Sequence, residues 1–346
     1  MREITFIRPD DWHCHLRDHE YLARTVTDAA SQFQRVMVMP NLLPPVTTLT
    51  MVEDYLKRIQ QHIPSGSTLT PLMTLYLTEL ISVDMIMAAK QSGRVMACKW
   101  YPAGATTHSE AGISRWEAMK PLWAAMEAVD MPLLIHGEVT DPSIDIFDRE
   151  TVFIEQCLSP LCKNFPQLRV VLEHISTKTA IEFVQEASDR VAATITPHHL
   201  FLNRNDLLVG GIRPHHFCYP VVKTRMDQAA LLCAAMSGHP RFFLGTDSAP
   251  HVRSAKESAC GPAGIYTTNV AIAICIELFE QQQALQRLEN FTSRFGAEFY
   301  QLPIHSVTTT WINQAWEVPL SLPFGQDKVV PFLAGKTLHW QMKTHD

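Results

Sequence analysis

No apolar stretch in the sequence reaches the eighteen or so residues that a membrane-spanning helix needs. The opening residues, MREITFIRPDDWHCH, contain no apolar leader segment of the secretory kind. Both absences lead to the expectation of a cytoplasmic protein without a membrane partner. Runs of lysine or arginine are also missing, and the formal charge is −6. Nucleic-acid binding calls for clustered basic residues, so no such partner is expected. The eight cysteines (Cys14, Cys98, Cys157, Cys162, Cys218, Cys233, Cys260 and Cys275) include no Cys-x-x-Cys pair. A chain of 346 residues is long enough to need no disulfide staples. Most of the cysteines lie in apolar or helical contexts and read as small buried hydrophobes. Internal repeats and low-complexity segments are absent as well.

What is present is an ordinary globular composition, 46% apolar and 18% charged. Short β-rich runs alternate with helical patterns, the sign of a βα-repeating fold with a parallel sheet. Eight strands are expected at residues 4–7, 35–39, 69–76, 95–100, 132–136, 169–173, 191–195 and 242–245. Several are continuous apolar runs, as strands buried on both faces are. Leu22, Val26, Ala29 and Phe33 follow the spacing of one helix face. Ser114-Arg115-Trp116-Glu117 has the pattern of a capping box. Thr224 precedes an apolar helix that should stop at Gly238, and another apolar helix is expected over 269–280. Eight strands with intervening helices imply an α/β fold, a (β/α)8 TIM barrel, in one domain spanning 1–346. The Pro-rich tail from about residue 307 reads as an irregular C-terminal elaboration.

In such a barrel the reactive groups sit at the C-terminal ends of the strands. His13-Cys14-His15 follows the first expected strand, and residues two apart in extended chain face one side, so both imidazoles can reach one metal. Taken alone, the pair is a weak signal, and a solvent-facing pair in a loop is the plainer reading. Lys99 closes the fourth strand, embedded in apolar sequence. Burial favours its neutral amine, which can take up carbon dioxide to form a carbamate able to bridge two cations. A lysine snorkelling to the barrel rim is the plainer alternative. His136, His174 and Asp247 close the fifth, sixth and eighth strands. Ligands of this kind at separate strand ends suit two zinc ions. Arg17 lies two residues beyond His15, where an extended backbone would aim its guanidinium fork at the same side; an ion pair with Asp18 or Glu20 is the competing reading. Asn41 follows Met39-Pro40 and could be a turn residue. His251 lies past Pro250, where a loop could turn it inward. His198-His199 reads as structural or supporting, and His215-His216 as loop. Residues 102–109 mix Gly104, small alanines, Thr106 and Thr107, the makings of a loop that closes on a ligand.

The order H-x-H, lysine, histidine, histidine, aspartate, one group per strand end, resembles the amidohydrolase superfamily with a binuclear metal centre. Within it, four segments resemble the free-standing bacterial dihydroorotase family: 9–18 (PDDWHCHLRD), 99–107 (KWYPAGATT), 245–251 (GTDSAPH) and 256–264 (KESACGPAG). Met39-Pro40-Asn41-Leu42 fits as well. This resemblance implies two Zn2+ per chain. His13, His15, Lys99 and Asp247 would hold the more buried ion; carboxylated Lys99, His136 and His174 would hold the other, with a hydroxide between them. It implies that Arg17, Asn41 and His251 bind the substrate carboxylate, and that Tyr219 and Ala263 contact the ring through backbone groups. Tyr219 stands where the family has leucine. Thr106 and Thr107 would lie on the closing loop, and Asp247 would carry the proton. The implied reaction is the reversible cyclisation of N-carbamoyl-L-aspartate to L-dihydroorotate, in a homodimer. A hydantoinase or allantoinase is the nearest alternative, since these share the metal residues, and Arg17, Asn41 and His251 tell against it. A non-catalytic relative would have lost ligands, and none is missing.

Overall fold

The computed structural model describes residues 2–343. Its strands are β1 (Glu3–Ile7), β2 (Asp10–Cys14), β3 (Arg35–Val38), β4 (Thr70–Tyr76), β5 (Val95–Trp100), β6 (Leu133–Ile135), β7 (Val170–Leu172), β8 (Val191–Ile195), β9 (Phe242–Leu244), β10 (Thr308–Glu317), β11 (Leu322–Phe324), β12 (Asp327–Val329) and β13 (Thr337–Met342). Strands β2 to β9 pair in parallel, each with the next in sequence. The seam closes just beyond the ends of β2 and β9. There Asp247 N donates to His13 O at 2.8 Å, and His15 N donates to Ser248 O at 3.0 Å. Helices lie between the strands, and the result is a (β/α)8 barrel.

The apolar periodicity explains how the layers assemble. Leu22, Val26, Ala29 and Phe33 are all buried along or just after the helix Leu22–Gln32. The helix Arg225–Met236 is capped by Thr224, whose side chain exchanges bonds with Asp227, and Gly238 follows at φ 78°. Inside the barrel, Trp12, Met37, Ala97, Leu134, Val171, Ala192 and Phe243, one from each of seven strands, form one cluster with Ala297 and Tyr300. The Trp12 ring stacks on Tyr300 with centroids 4.7 Å apart. Burying side chains of this size contributes about 1.5–3 kcal/mol each, so the barrel floor is a packed core. Gly245 is demanded by close approach, since a Cβ there would lie 2.8 Å from Thr194 Cβ and 2.9 Å from His13 Cβ.

Three expectations differ from the structure. Residues 4–7 do not open the barrel: β1 pairs antiparallel with β10, which pairs with β13. The true first barrel strand, Asp-Asp-Trp-His-Cys, is too polar to look buried. It is tolerated because Asp10 takes two bonds from Arg35 (3.0 and 2.6 Å) and Asp11 accepts from Thr246. The tail from 307 is not irregular: it carries β10 to β13, with Trp311 and Trp340 buried. The Ser114 capping box does not form. A 3-10 turn, Trp116–Met119, comes first without a side-chain cap, and the helix Lys120–Ala128 then starts with Pro121 in its first turn.

Candidate metal centre

Inward positions recur every second residue along a strand. Lys99 stands two beyond Ala97, His136 two beyond Leu134, Glu173 two beyond Val171 and Thr194 two beyond Ala192. The same alternation that builds the apolar floor therefore carries these four groups to the barrel mouth. His174 neighbours an inward residue and should point outward. Its φ of 42° breaks the alternation, with its N–H held by Thr194 Oγ1 at 2.7 Å. Asp247 also takes a positive φ, 44°. Such conformations cost about 1–3 kcal/mol each in a side-chain-bearing residue.

All six expected ligands converge. The His13 ring lies 5.3 Å from His15 and 4.9 Å from His174, and His174 lies 4.9 Å from His136. His13, His15 and Asp247 each offer a ligand atom within 4.8 Å of the others. His15 Nδ1 donates to Asn41 Oδ1 at 2.8 Å, which leaves Nε2 facing Asp247 Oδ1 at 3.0 Å. His13 Nδ1 lies 2.9 Å from Glu173 Oε2, and its Nε2 lies 3.3 Å from Asp247 Oδ1. His136 Nε2 lies 2.8 Å from Glu138 Oε2. His13, His15 and His136 thus each have one nitrogen set against an orienting oxygen of Glu173, Asn41 or Glu138, as metal-ligating histidines do, while the second nitrogens of His13 and His15 turn to Asp247.

The charges fit a cation in the same place. Burial holds His15 at about 4, against the pull of Asp247, so no proton is expected between its Nε2 and the carboxylate at neutral pH. For His13, burial works against the charged ring, but Glu173 and Asp247 outweigh it and hold its pKa up. Asp247 is pushed up by burial, yet hydrogen bonds from His13 and His15 and the charge of His13 and His174 keep it well below the usual range. Lys99 is fully buried, with no hydrogen-bond partner for Nζ among the described residues; its nitrogen lies 5.0 Å from the centre of the Tyr101 ring. Burial lowers its pKa to about 8 against Glu173 and Asp247. About a tenth is then neutral at pH 7, and the snorkelling alternative does not describe this side chain.

A narrow cleft opens over these groups, lined by Arg17, Asn41, Thr106, Thr107, Tyr219 and Ala263 as well as the histidines and Asp247. Arg17 reaches it otherwise than expected: its backbone is left-handed, φ 59°, not extended. Its Nε donates to Pro250 O at 2.9 Å and its Nη2 lies 3.0 Å from His251 Nε2. Asp18, the rival partner, is bound by Arg58. His251 Nε2 also lies 3.0 Å from Ala263 O. Asn41 is already engaged, by His15 and by donating to Thr107 O at 3.0 Å. It therefore joins the His15 ring to the 102–109 loop. His215 and His216 lie in a 3-10 turn, with His215 paired to Glu257. The sequence reading missed Glu173, Glu138, Asp11 and Thr194, the groups that hold the ligands. Asp11 takes bonds from Thr246 N (2.8 Å), Thr246 Oγ1 (2.6 Å) and His13 N (3.1 Å). The three acidic residues carried one signal, a place beside or two from a candidate histidine (Glu173 by His174, Asp11 before His13, Glu138 after His136), and Thr194 carried none.

No protein-family model matches the chain. A curated dihydroorotase of Coxiella burnetii (strain RSA 331 / Henzerling II) is 59% identical over 346 residues, covering 100% of this chain and 99% of the relative. The chain belongs to the dihydroorotase family. The dihydroorotases are cyclic amidohydrolases of the amidohydrolase superfamily, and family and fold imply use of a metal. The solved dihydroorotase of Saccharomyces cerevisiae in complex with 5-fluoroorotic acid superposes with a TM-score of 0.92 at 34% identity, covering 99% of both chains. The L-hydantoinase (dihydropyrimidinase) of Arthrobacter aurescens superposes at 0.80 with 16% identity, covering 98% of this chain and 83% of its own. That second likeness concerns the fold alone. Among the described residues, no helix is long and apolar enough to cross a membrane.

Proposed function

We propose that the protein interconverts N-carbamoyl-L-aspartate and L-dihydroorotate with two zinc ions per chain. His13, His15, Lys99 and Asp247 would hold one ion; Lys99 as its carbamate, His136 and His174 would hold the other. The observation that carries this reading is a buried Lys99 amine, without a hydrogen-bond partner among the described residues, beneath four histidines and Asp247, with Arg17 and His251 beside them. When bound, zinc supplies acidification of water to a pKa of about 7 and polarisation of a carbonyl.

The chain's own residues do the rest. Arg17 offers a charge-assisted fork to the substrate carboxylate, and His251 is positioned beside it. Asn41 holds the His15 ring and the 102–109 loop. Tyr219 and Ala263 line the cleft and would contact the ring through backbone groups, so the change from leucine at 219 would alter the pocket wall without removing a backbone contact. Thr106 and Thr107 close over the ring and exclude water. Asp247, ionised at neutral pH, takes the proton of the attacking water at its carboxylate and delivers it to the leaving amide nitrogen; cyclisation reverses the transfer. The carboxylate site is what separates this substrate from a hydantoin, which lacks that group beside the ring.

The reading extends to one domain over residues 1–346, a cytoplasmic location and a homodimer. Sedimentation at micromolar concentration tests the last. The deciding experiment is metal analysis of protein purified without chelators, together with turnover of L-dihydroorotate. Two zinc ions and turnover support the reading. A metal-free protein that still turns over the substrate overturns it.

A further inference from the structure

We propose a second metal site, separate from the barrel centre, in which Cys218, His198 and His199 hold one zinc-class cation. His198 and His199 lie on the short helix Pro197–Phe201 that follows β8, and Cys218 lies in the segment crossing over it. All three are buried to within 1% exposure. Each offers a ligand atom within 4.8 Å of the other two. Cys218 Sγ is 3.9 Å from His199 Nε2 and 3.3 Å from Pro220 O. Sulfur and nitrogen ligands of a tetrahedral zinc, at roughly 2.3 and 2.0–2.1 Å from the ion, lie about 3.6 Å apart. The Cys218–His199 separation needs little change to accept one, and His198 offers a nitrogen within 4.8 Å of both.

His198 is the independent observation. Both of its ring nitrogens are buried and neither has a hydrogen-bond partner among the described residues. Leaving such a group unpaired is unfavourable, because its lost hydration is not replaced. Without a cation, the neighbours satisfy one another: His199 Nε2–H donates to Pro220 O at 2.9 Å and the Cys218 thiol donates to the same oxygen. His198 is then left out. With a cation, every group has a role. His199 Nδ1–H turns to Thr196 Oγ1, 2.8 Å away, which frees Nε2 as a ligand; a second partner orienting the ring is usual for a metal-bound histidine. His198 supplies another nitrogen. The Cys218 thiol releases its proton to solvent and binds as thiolate. One thiolate and two imidazoles suit zinc over magnesium or calcium.

Position gives the site a purpose. Tyr219, between Cys218 and Pro220, lines the substrate cleft. The cation would pin that segment to the helix after β8, much as Gly264 N and Lys256 Nζ already hold Phe217 O. The site is thus a clip on one wall of the cleft.

Cobalt substitution of the full chain tests this. Thiolate bound to Co2+ gives an intense near-ultraviolet charge-transfer band, and the barrel centre offers only nitrogen and oxygen donors. We expect the band in cobalt-loaded wild-type protein, retained in C233S/C260S, and lost in Cys218→Ser together with about one metal per chain. His198→Gln should also lose about one metal per chain, with the fold checked by circular dichroism. Fully loaded wild-type protein without the band overturns the proposal whether or not any variant folds. A band that survives Cys218→Ser does the same. Neither outcome bears on the reaction proposed above, because the readout is a donor type that the barrel centre lacks.

Discussion

Replacing Glu173 with Gln tests whether the barrel centre is built by carboxylates behind its ligands. Glu173 is 1% exposed. Its Oε2 accepts from Thr194 Oγ1 at 2.5 Å and lies 2.9 Å from His13 Nδ1. The amide keeps the shape and can still accept from Thr194, so the barrel should fold. What is lost is the anion that fixes the His13 tautomer and raises the basicity of its free nitrogen. Removing such a partner commonly costs 10–100-fold in metal affinity or activity, about 1.4–2.7 kcal/mol. Competition with a chromogenic chelator would measure the affinity, circular dichroism the fold, and dihydroorotate turnover the activity. We expect the weaker of the two bound ions to be lost first, and added zinc to restore turnover in part. Wild-type metal affinity in a folded Glu173→Gln protein would refute the argument that this carboxylate orients His13.

Replacing Lys99 with Ala should lower metal content and abolish turnover, and a short carboxylic acid added with zinc should restore some activity; full metal content in the variant would end the carbamate reading. Replacing Arg17 with Met should cut turnover of dihydroorotate by about 10- to 150-fold, from the 1.5–3 kcal/mol of a charge-assisted contact, with zinc content unchanged; unaltered kinetics would remove Arg17 from the substrate site. Changing Thr106 and Thr107 together to Val should lower turnover strongly while fold and metal are kept, and normal kinetics would make the loop a plain connector. In metal-free protein, burial holds His15 and His199 at about 4, and His174, His198 and His251 well below the ordinary 6.5. The unfolded chain then takes up protons first as pH falls, so this stability is present above 6.5 and lost between about 6.5 and 4. Asp11, raised to about 6 by burial, opposes the trend over part of that window. Urea midpoints should fall from pH 7 to pH 5, and a flat profile would contradict the burial argument.

Seven of the eight barrel strands were legible because strands covered on both faces are written as continuous apolar runs, as in Leu133–Ile135 and Val170–Leu172. The six residues proposed as ligands could be picked out because reactive side chains stand out at the ends of such runs, and the fold brings them together. For Lys99 the sequence left two courses open, a buried amine or one snorkelling to the rim, and only the closed barrel buries it. The eighth strand was not legible: Asp10–Cys14 is polar, and its burial depends on Arg35 and Thr246, which are distant in sequence. Residues 4–7 form a strand in either case, and only pairing with Thr308–Glu317 decides which sheet receives it. Tertiary structure alone decided the roles of Glu173, Asn41 and Thr194. It also decided that Arg17 enters the cleft from a left-handed turn and that Cys218 meets His198 and His199. Local periodicity reports which face of an element is apolar. Contacts between elements depend on how the barrel closes, and that is set by the packing of the whole chain.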